Sequence, residues 1–211
     1  MPEKELHRYF GKEFNVFWNE PLCIHIEECL RAPGGLFIKD RLPWCKPDCV
    51  PAKQAAEIIE RCPTGSLTCH AKDGTLLEQP AMENSILVSY NGPFFARGDL
   101  SIEGADETKP GVKFRAALCR CGQSKNKPFC DNSHECTHFH DYGAVGEQGP
   151  GLKKRGGPLR IKPLPGGPLA VSGNLTILSS SGRTAWEGCS AALCQCGASR
   201  KKPFCDGSHK Q

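Results

Sequence analysis

The chain has 211 residues, 24% of them charged, a formal net charge of +4 and 14 cysteines. That length suits one or two domains, no apolar run is long enough to span a membrane, and so slight a charge does not by itself call for a nucleic-acid partner. The opening Met1-Pro2-Glu3-Lys4-Glu5 is no signal peptide, so a soluble cytoplasmic protein is expected, its cysteines reduced and used as metal ligands rather than disulfides.

Residues 1–80 read as a small α+β domain. Phe14, Val16 and Trp18 alternate as in a strand, Ala52, Ala55, Ile58 and Ile59 follow a helical period, and Ser66 to His70 suggests a return strand. Between them stand Cys23-Ile24-His25-Ile26-Glu27-Glu28-Cys29 and, after the helix, Cys62-Pro63-Thr64-Gly65. This arrangement is similar to bacterial ferredoxins, whose first ligands come as C-x2-C-x2-C and whose last precedes a proline. Ile26 occupies the place of the middle cysteine and cannot ligate, which leaves Cys23, Cys29 and Cys62 as candidate ligands. Three thiolates fit a [3Fe-4S] cluster, whereas a [4Fe-4S] cluster would need a further ligand, for which His25, Cys45 and Cys49 are the candidates. The alternative is a ferredoxin-like scaffold without a cluster. Cys69, and Cys189 far downstream, read as buried small hydrophobes.

Residues 81–140 and 141–211 repeat one another. The first copy reads Cys119-Arg120-Cys121, then Cys130-Asp131-Asn132-Ser133-His134; the second reads Cys194-Gln195-Cys196, then Cys205-Asp206-Gly207-Ser208-His209. Both are C-x-C-x8-C-x3-H, and the match extends back without a gap to Gly92-Pro93 and Gly167-Pro168. Each unit runs from a Gly-Pro turn through two short alternating β-segments, such as Leu169 to Ser172 and Asn174 to Leu178, to the ligand loop and a short terminal helix. Asp131 and Asp206 stand at cap positions. Residues Glu135 to Pro165, rich in Gly and Pro, read as an exposed link. Within it Cys136, His138 and His140 form a C-x-H-x-H string, which a polar loop explains as readily as a metal site.

Alternate residues on an extended chain point the same way, and residues three or four apart share a helical face, so each copy converges three thiols and an imidazole on one point. Such ligands suit an iron–sulfur cluster or zinc, but zinc-finger spacings are not met. The chain resembles tandem CDGSH iron–sulfur domain proteins of the NEET group, Cys205-Asp206-Gly207-Ser208-His209 spelling the motif. The resemblance implies two [2Fe-2S] clusters, one on Cys119, Cys121, Cys130 and His134 and the other on Cys194, Cys196, Cys205 and His209. Its amino-terminal part resembles the divergent mono-cluster ferredoxin domain found fused to such units. Single-copy relatives pair as homodimers, so the resemblance implies an internal pseudo-dimer and a monomeric chain. Asn132 departs from the motif's Gly; if a left-handed backbone is needed there, Asn is the next most tolerant residue.

The expected function is one-electron transfer or cluster transfer to an unidentified acceptor protein, with His ligation that acid loosens, because a protonated imidazole cannot coordinate. Lys127, Arg200, Lys201 and Lys202, if close to the clusters, would stabilise an added electron, and the runs Lys125-Asn126-Lys127 and Arg200-Lys201-Lys202 would dock an acidic partner. No nucleophile–base pair or phosphate loop stands out, so no enzyme activity is expected. The competing reading is a structural zinc module built on the same Cys3His sites.

Overall fold

The computed structural model describes residues 6–210. Strands β1 (Leu6–Phe10), β2 (Phe14–Asn19) and β3 (Leu67–Ala71) form an antiparallel sheet in that order. Alternation along β2 turns Phe14 and Val16 inward, where Val16 pairs with Cys69 of β3. Helix α1 (Ala52–Ile59) starts after Pro51 and buries Ala55, Ile58 and Ile59 against the same sheet. Leu36, Phe37, Cys45 and Val50, on the long loop between β2 and α1, complete this core. Strand β1 is an addition to the sequence reading. Its charged and half-buried residues show no clean alternation because it lies at the sheet edge.

The second sheet has seven strands: β4 (Ser85–Val88), β5 (Phe94–Arg97), β6 (Asp99–Ile102), β7 (Arg115–Leu118), β8 (Pro158–Pro163), β9 (Leu169–Leu178) and β10 (Thr184–Leu193). Its order is β6-β8-β9-β4-β5-β7, with β10 also paired to β9. Every pairing of the first unit recurs in the second at the 75-residue offset of the sequence repeat. Within a unit, Ser85 pairs with Arg97 and Arg160 with Ser172; Phe94 pairs with Leu118 and Leu169 with Leu193. Between units the pairing is parallel and reciprocal, Ser101 with Arg160 and Thr176 with Ser85. Each unit thus supplies a strand to the other's half of the sheet, and a shared apolar core results in which Ile86, Phe94, Leu118, Leu159, Leu175 and Leu193 are fully buried.

Three sequence expectations need correction. The link from Glu135 to Pro165 contains β8, whose Leu159 and Ile161 are 0% and 1% exposed while Arg160 and Lys162 face solvent. Burying two such side chains is worth about 3–6 kcal/mol, which makes this segment part of the core. The two β-segments after Gly167-Pro168 form one continuous strand, β9. The terminal helices are single 3₁₀ turns, Ser133–Glu135 and Ser208–Lys210. Arg115 of β7 reaches the amino-terminal sheet by donating from Nη2 to the Leu67 carbonyl (3.1 Å), and its Nη1 forms a buried ion pair with Glu78 Oε2, beyond the end of β3, at 2.5 Å. Among the described residues no helix is long and apolar enough to cross a membrane.

Candidate metal centres

Each repeat builds its site on a narrow backbone ladder just past a strand end. Beyond β7, Cys119 N–H donates to the Pro128 carbonyl (2.8 Å) and Cys130 N–H to that of Ala117 (2.9 Å). Beyond β10, Cys194 N–H donates to Pro203 and Cys205 N–H to Ala192, both at 2.8 Å. The first and third cysteines are thereby fixed on facing strands. The loop between them is closed by its serine: Ser124 Oγ donates to the Phe129 carbonyl and accepts Asn126 N–H, and Ser199 does the same with Phe204 and Lys201.

The recurring aspartate joins the two ends of this loop. Asp131 Oδ1 accepts Ser133 N–H (3.0 Å) and Oδ2 accepts Lys125 N–H (2.8 Å), while Asp206 takes Ser208 and Arg200 at the same distances. One carboxylate therefore caps the turn that carries the histidine and anchors the start of the loop, more than the cap expected from sequence. Hydrogen bonds from Ser208 and Arg200 hold Asp206 below the usual carboxylate range; for Asp131, partial burial opposes the same effect of Ser133 and Lys125 without cancelling it.

The structure brings the eight expected ligands together as close pairs. Cys119 Sγ lies 3.8 Å from Cys121 Sγ, and Cys130 Sγ lies 3.4 Å from His134 Nδ1. In the second copy Cys194 and Cys196 are 3.7 Å apart, and Cys205 and His209 Nδ1 are 3.4 Å apart. The sequence pattern has all four ligands of a copy meet at one point; the structure places them as a Cys–Cys pair and a Cys–His pair, a donor set that suits an iron–sulfur cluster or zinc. Burial pushes the Cys130 thiol up to about 12 and raises Cys121 and Cys194, so a metal that binds these thiols must displace their protons. Burial lowers the His134 pKa, which keeps its imidazole neutral and able to ligate.

The two loops touch through their glycines. A Cβ on Gly122 would stand 2.5 Å from the Cys196 carbonyl oxygen, and one on Gly197 would stand 2.8 Å from that of Cys121. Only glycine permits this reciprocal backbone approach.

Arg120 is the functional neighbour that the sequence reading passed over. Lying between two ligands, it turns away into the protein, where it pairs with Asp141, donates to the Ser89 and Gly92 carbonyls, and packs on Phe94 and Phe139. Gln195 holds the matching position in the second copy, with its Nε2 unpartnered among the described residues. A charge inside a C-x-C pair was the signal. Of the basic residues expected near the clusters, Lys202 is tied to the Ser199 carbonyl, while Lys127, Arg200 and Lys201 are exposed.

In the amino-terminal domain, Cys23 and Cys29 sit on the loop after β2 and Cys62 on the turn after α1. Burial, reinforced by Cys62 and Cys23, pushes Cys29 up to about 11; burial raises Cys23 too, with Cys62 again beside it. Cys62 Sγ is held by Thr64 and Ser66 hydroxyls at 3.4 and 3.3 Å. His25 Nδ1 is 4.0 Å from Cys23 Sγ; Cys45 lies in the apolar core and Cys49 is exposed.

Cys69 is buried as expected, but Cys189 is exposed, because the register shift between Gly188 and Ser190 turns it out of the sheet. Cys136 and His138 are exposed, and His140 packs edge-on against Tyr142.

Two stretches, 91–135 and 166–210, match the family model described as an iron-binding zinc finger of CDGSH type, and residues 9–72 match the model described as a divergent 4Fe-4S mono-cluster. The chain is also 37% identical over 59 residues to the protein YjdI of Escherichia coli K12, and equally to YjdI of strain O157:H7. That match covers 28% of this chain and 78% of the relative. No solved structure matches.

Proposed function

The chain belongs to the CDGSH-type iron-binding family, with a divergent mono-cluster segment ahead of its two repeats, and from that premise we propose that it is a carrier of electrons or of iron–sulfur clusters rather than an enzyme. The observation that carries this reading is the duplicated arrangement of a Cys–Cys pair and a Cys–His pair in identically hydrogen-bonded loops. Cys119, Cys121, Cys130 and His134 would hold one [2Fe-2S] cluster, and Cys194, Cys196, Cys205 and His209 the other. Bound there, such a core supplies one-electron storage at a potential set by its charge, hydrogen bonds and exposure. The protein's part is to present three thiolates and one neutral imidazole, which keeps the site one negative charge lower than an all-thiolate set. Cys23, Cys29 and Cys62 would hold a third, [3Fe-4S] or, with His25 as a further ligand, [4Fe-4S].

The imidazole Nδ1 facing Cys205 also makes the site acid-sensitive, since a proton on that nitrogen excludes a metal. His209→Cys should slow loss of visible absorption in acid at the second site alone. The reciprocal strand pairing supports an internal pseudo-dimer of units 81–140 and 141–211 behind a domain of residues 1–80, in a monomeric cytoplasmic chain. The exposed Lys127, Arg200 and Lys201 suit an acidic protein partner rather than nucleic acid or membrane.

The test is iron, sulfide and zinc per chain after anaerobic purification, with visible and electron paramagnetic resonance spectra. About four irons and four sulfides support two [2Fe-2S] centres, and about seven irons add a [3Fe-4S] centre. Stoichiometric zinc in colourless protein from iron-replete cells would overturn the reading.

A further inference from the structure

We propose that the amino-terminal site and the first repeat's site form an internal one-electron exchange pair, held in register by Asn132 and Asn126, and that the second repeat's site faces external partners. This rests on the reading that both sites carry iron–sulfur clusters.

The loop bearing Cys23 and Cys29 lies directly on the first repeat. Ile24, between the two ligands, packs on Ala117 and on the ligand Cys130, with Ile26 and Phe95 beside it. The Ile26 that replaces the ferredoxin cysteine thus has a task in docking. Asn132 Nδ2 donates to the Ile24 carbonyl and Asn126 Nδ2 to the Pro21 carbonyl, both at 2.9 Å. The turn after the third ligand, Cys62, is pinned to the same unit. A Cβ on Gly65 would lie 2.3 Å from the Arg115 carbonyl oxygen, and one on Gly111 would lie 2.1 Å from that of Gly65. Every ligand-bearing segment of the amino-terminal site is therefore fixed against the first repeat. Electron exchange between protein-bound centres falls steeply with distance, and ligand-loop contact of this kind is what shortens it.

The second repeat lacks this cover. Gly207 takes the place of Asn132 with no atom within 4 Å of its Cβ position, and exposed Lys201 takes the place of Asn126. Cys130 is buried where Cys205 is half-exposed. Asn132 adopts a left-handed backbone, φ 67°, as Gly207 does at φ 87°. A strained residue stands where glycine would be easier because its amide reaches the neighbouring domain.

With both sites loaded, Cys23, Cys29 and Cys62 on one side and Cys119, Cys121, Cys130 and His134 on the other would hold centres between which one electron, supplied by a low-potential one-electron donor, could pass, one centre losing it as the other gains it, with no bond made or broken.

The experiment compares the anaerobic full chain with Asn132→Gly, Asn132→Gly/Ile24→Asp and, as control, Gly207→Asn, after titration with dithionite. In the parent chain the paramagnetic signal of the first repeat should be broadened by its amino-terminal neighbour. Asn132→Gly removes one amide hydrogen bond without backbone strain. It should leave iron and sulfide unchanged, speed hydrogen exchange of residues 21–29 roughly fivefold, and weaken the broadening. The double variant should abolish the broadening and the control should leave it intact. If iron analysis finds the amino-terminal site empty, both this proposal and the three-centre reading fail. If all three centres are filled but the parent shows no broadening, or the double variant keeps it, the exchange pair alone is overturned.

Discussion

Replacing Arg120 by glutamine, the residue at the matching position of the second repeat, should loosen the first repeat far more than its polarity suggests. Arg120 is 1% exposed. It reaches the carbonyls of Gly92 at 2.9 Å and Ser89 at 2.5 Å and pairs with Asp141. Adding three charge-assisted hydrogen bonds at about 1.5–3 kcal/mol each overshoots, because a buried guanidinium gives up several kcal/mol of hydration. Burial draws the Arg120 pKa down and the opposite pull of Asp141 does not fully restore it. Removing one member of a buried pair costs about 3–5 kcal/mol. Asp141 keeps the Gly143 N–H at 2.8 Å, which places the expected loss at the low end, about 3 kcal/mol. A chain with tightly bound metal does not unfold as two states, so the assay is hydrogen exchange of the β5 and β7 amides in the loaded protein. Their exchange should rise roughly a hundredfold. A rise under about threefold would refute the reasoning, since it would mean that the guanidinium only fills space.

The second buried pair should behave oppositely. Burial raises the Glu78 pKa against the pull of Arg115, and Glu78 Oε1 has no partner among the described residues. Its folded pKa exceeds its unfolded one, so the stability it confers is fully present below the ordinary carboxylate range and is lost as pH rises through the raised value. Glu78→Gln, whose amide oxygen still accepts from Arg115, should therefore change stability at pH 7 by less than about 1 kcal/mol and flatten the pH dependence of hydrogen exchange in β3 and β7. Gly122→Ala forces a Cβ to 2.5 Å from the Cys196 carbonyl oxygen; it should lower iron content at both repeats, whereas Gly207→Ala, with open space around it, carries only about 1–2 kcal/mol of left-handed strain and should keep its iron. Leu159→Ala should destabilise the shared sheet by about 2–5 kcal/mol in denaturant melts of the metal-free chain, and an effect below about 0.5 kcal/mol would return β8 to the status of a link.

Local pattern carried the parts of this fold that are locally determined. The alternation of Phe14, Val16 and Trp18 and the helical period of Ala55 and Ile58 describe neighbours along the chain, and the structure has them where the pattern placed them, whereas the four ligands of each copy, expected at one point, lie as a Cys–Cys pair and a Cys–His pair. The left-handed backbone at Asn132 was legible too, because few residues other than glycine tolerate it. Strand β8 was not. Its Leu159 and Ile161 alternate over only a few residues among Gly and Pro, and its partners β6 and β9 lie on different units. Parallel pairing between repeats leaves no mark on either repeat alone. The exposure of Cys189 depends on a register shift in β10, which likewise belongs to the pairing and not to the residue.

Where the two copies agree and where they differ then answer separate physical questions. The shared residues close the loop: Ser124 and Ser199, Asp131 and Asp206, and Gly122 and Gly197 make the same contacts in both copies. The residues that differ attach the first copy to its surroundings. Arg120, against Gln195, reaches Asp141; Asn126, against Lys201, reaches Pro21; Asn132, against Gly207, reaches Ile24. Two matched ligand sets would give two equivalent centres if the loops alone set their properties. A buried guanidinium beside one set, and a docked ligand loop over it, alter its charge and its exposure, the quantities on which the potential of an iron–sulfur site depends. The repeats are therefore expected to titrate as two distinct centres, and the replacement Gln195→Arg should not make the second copy resemble the first, because Lys201 and Gly207 still stand where Asn126 and Asn132 tie the first copy to the amino-terminal loop.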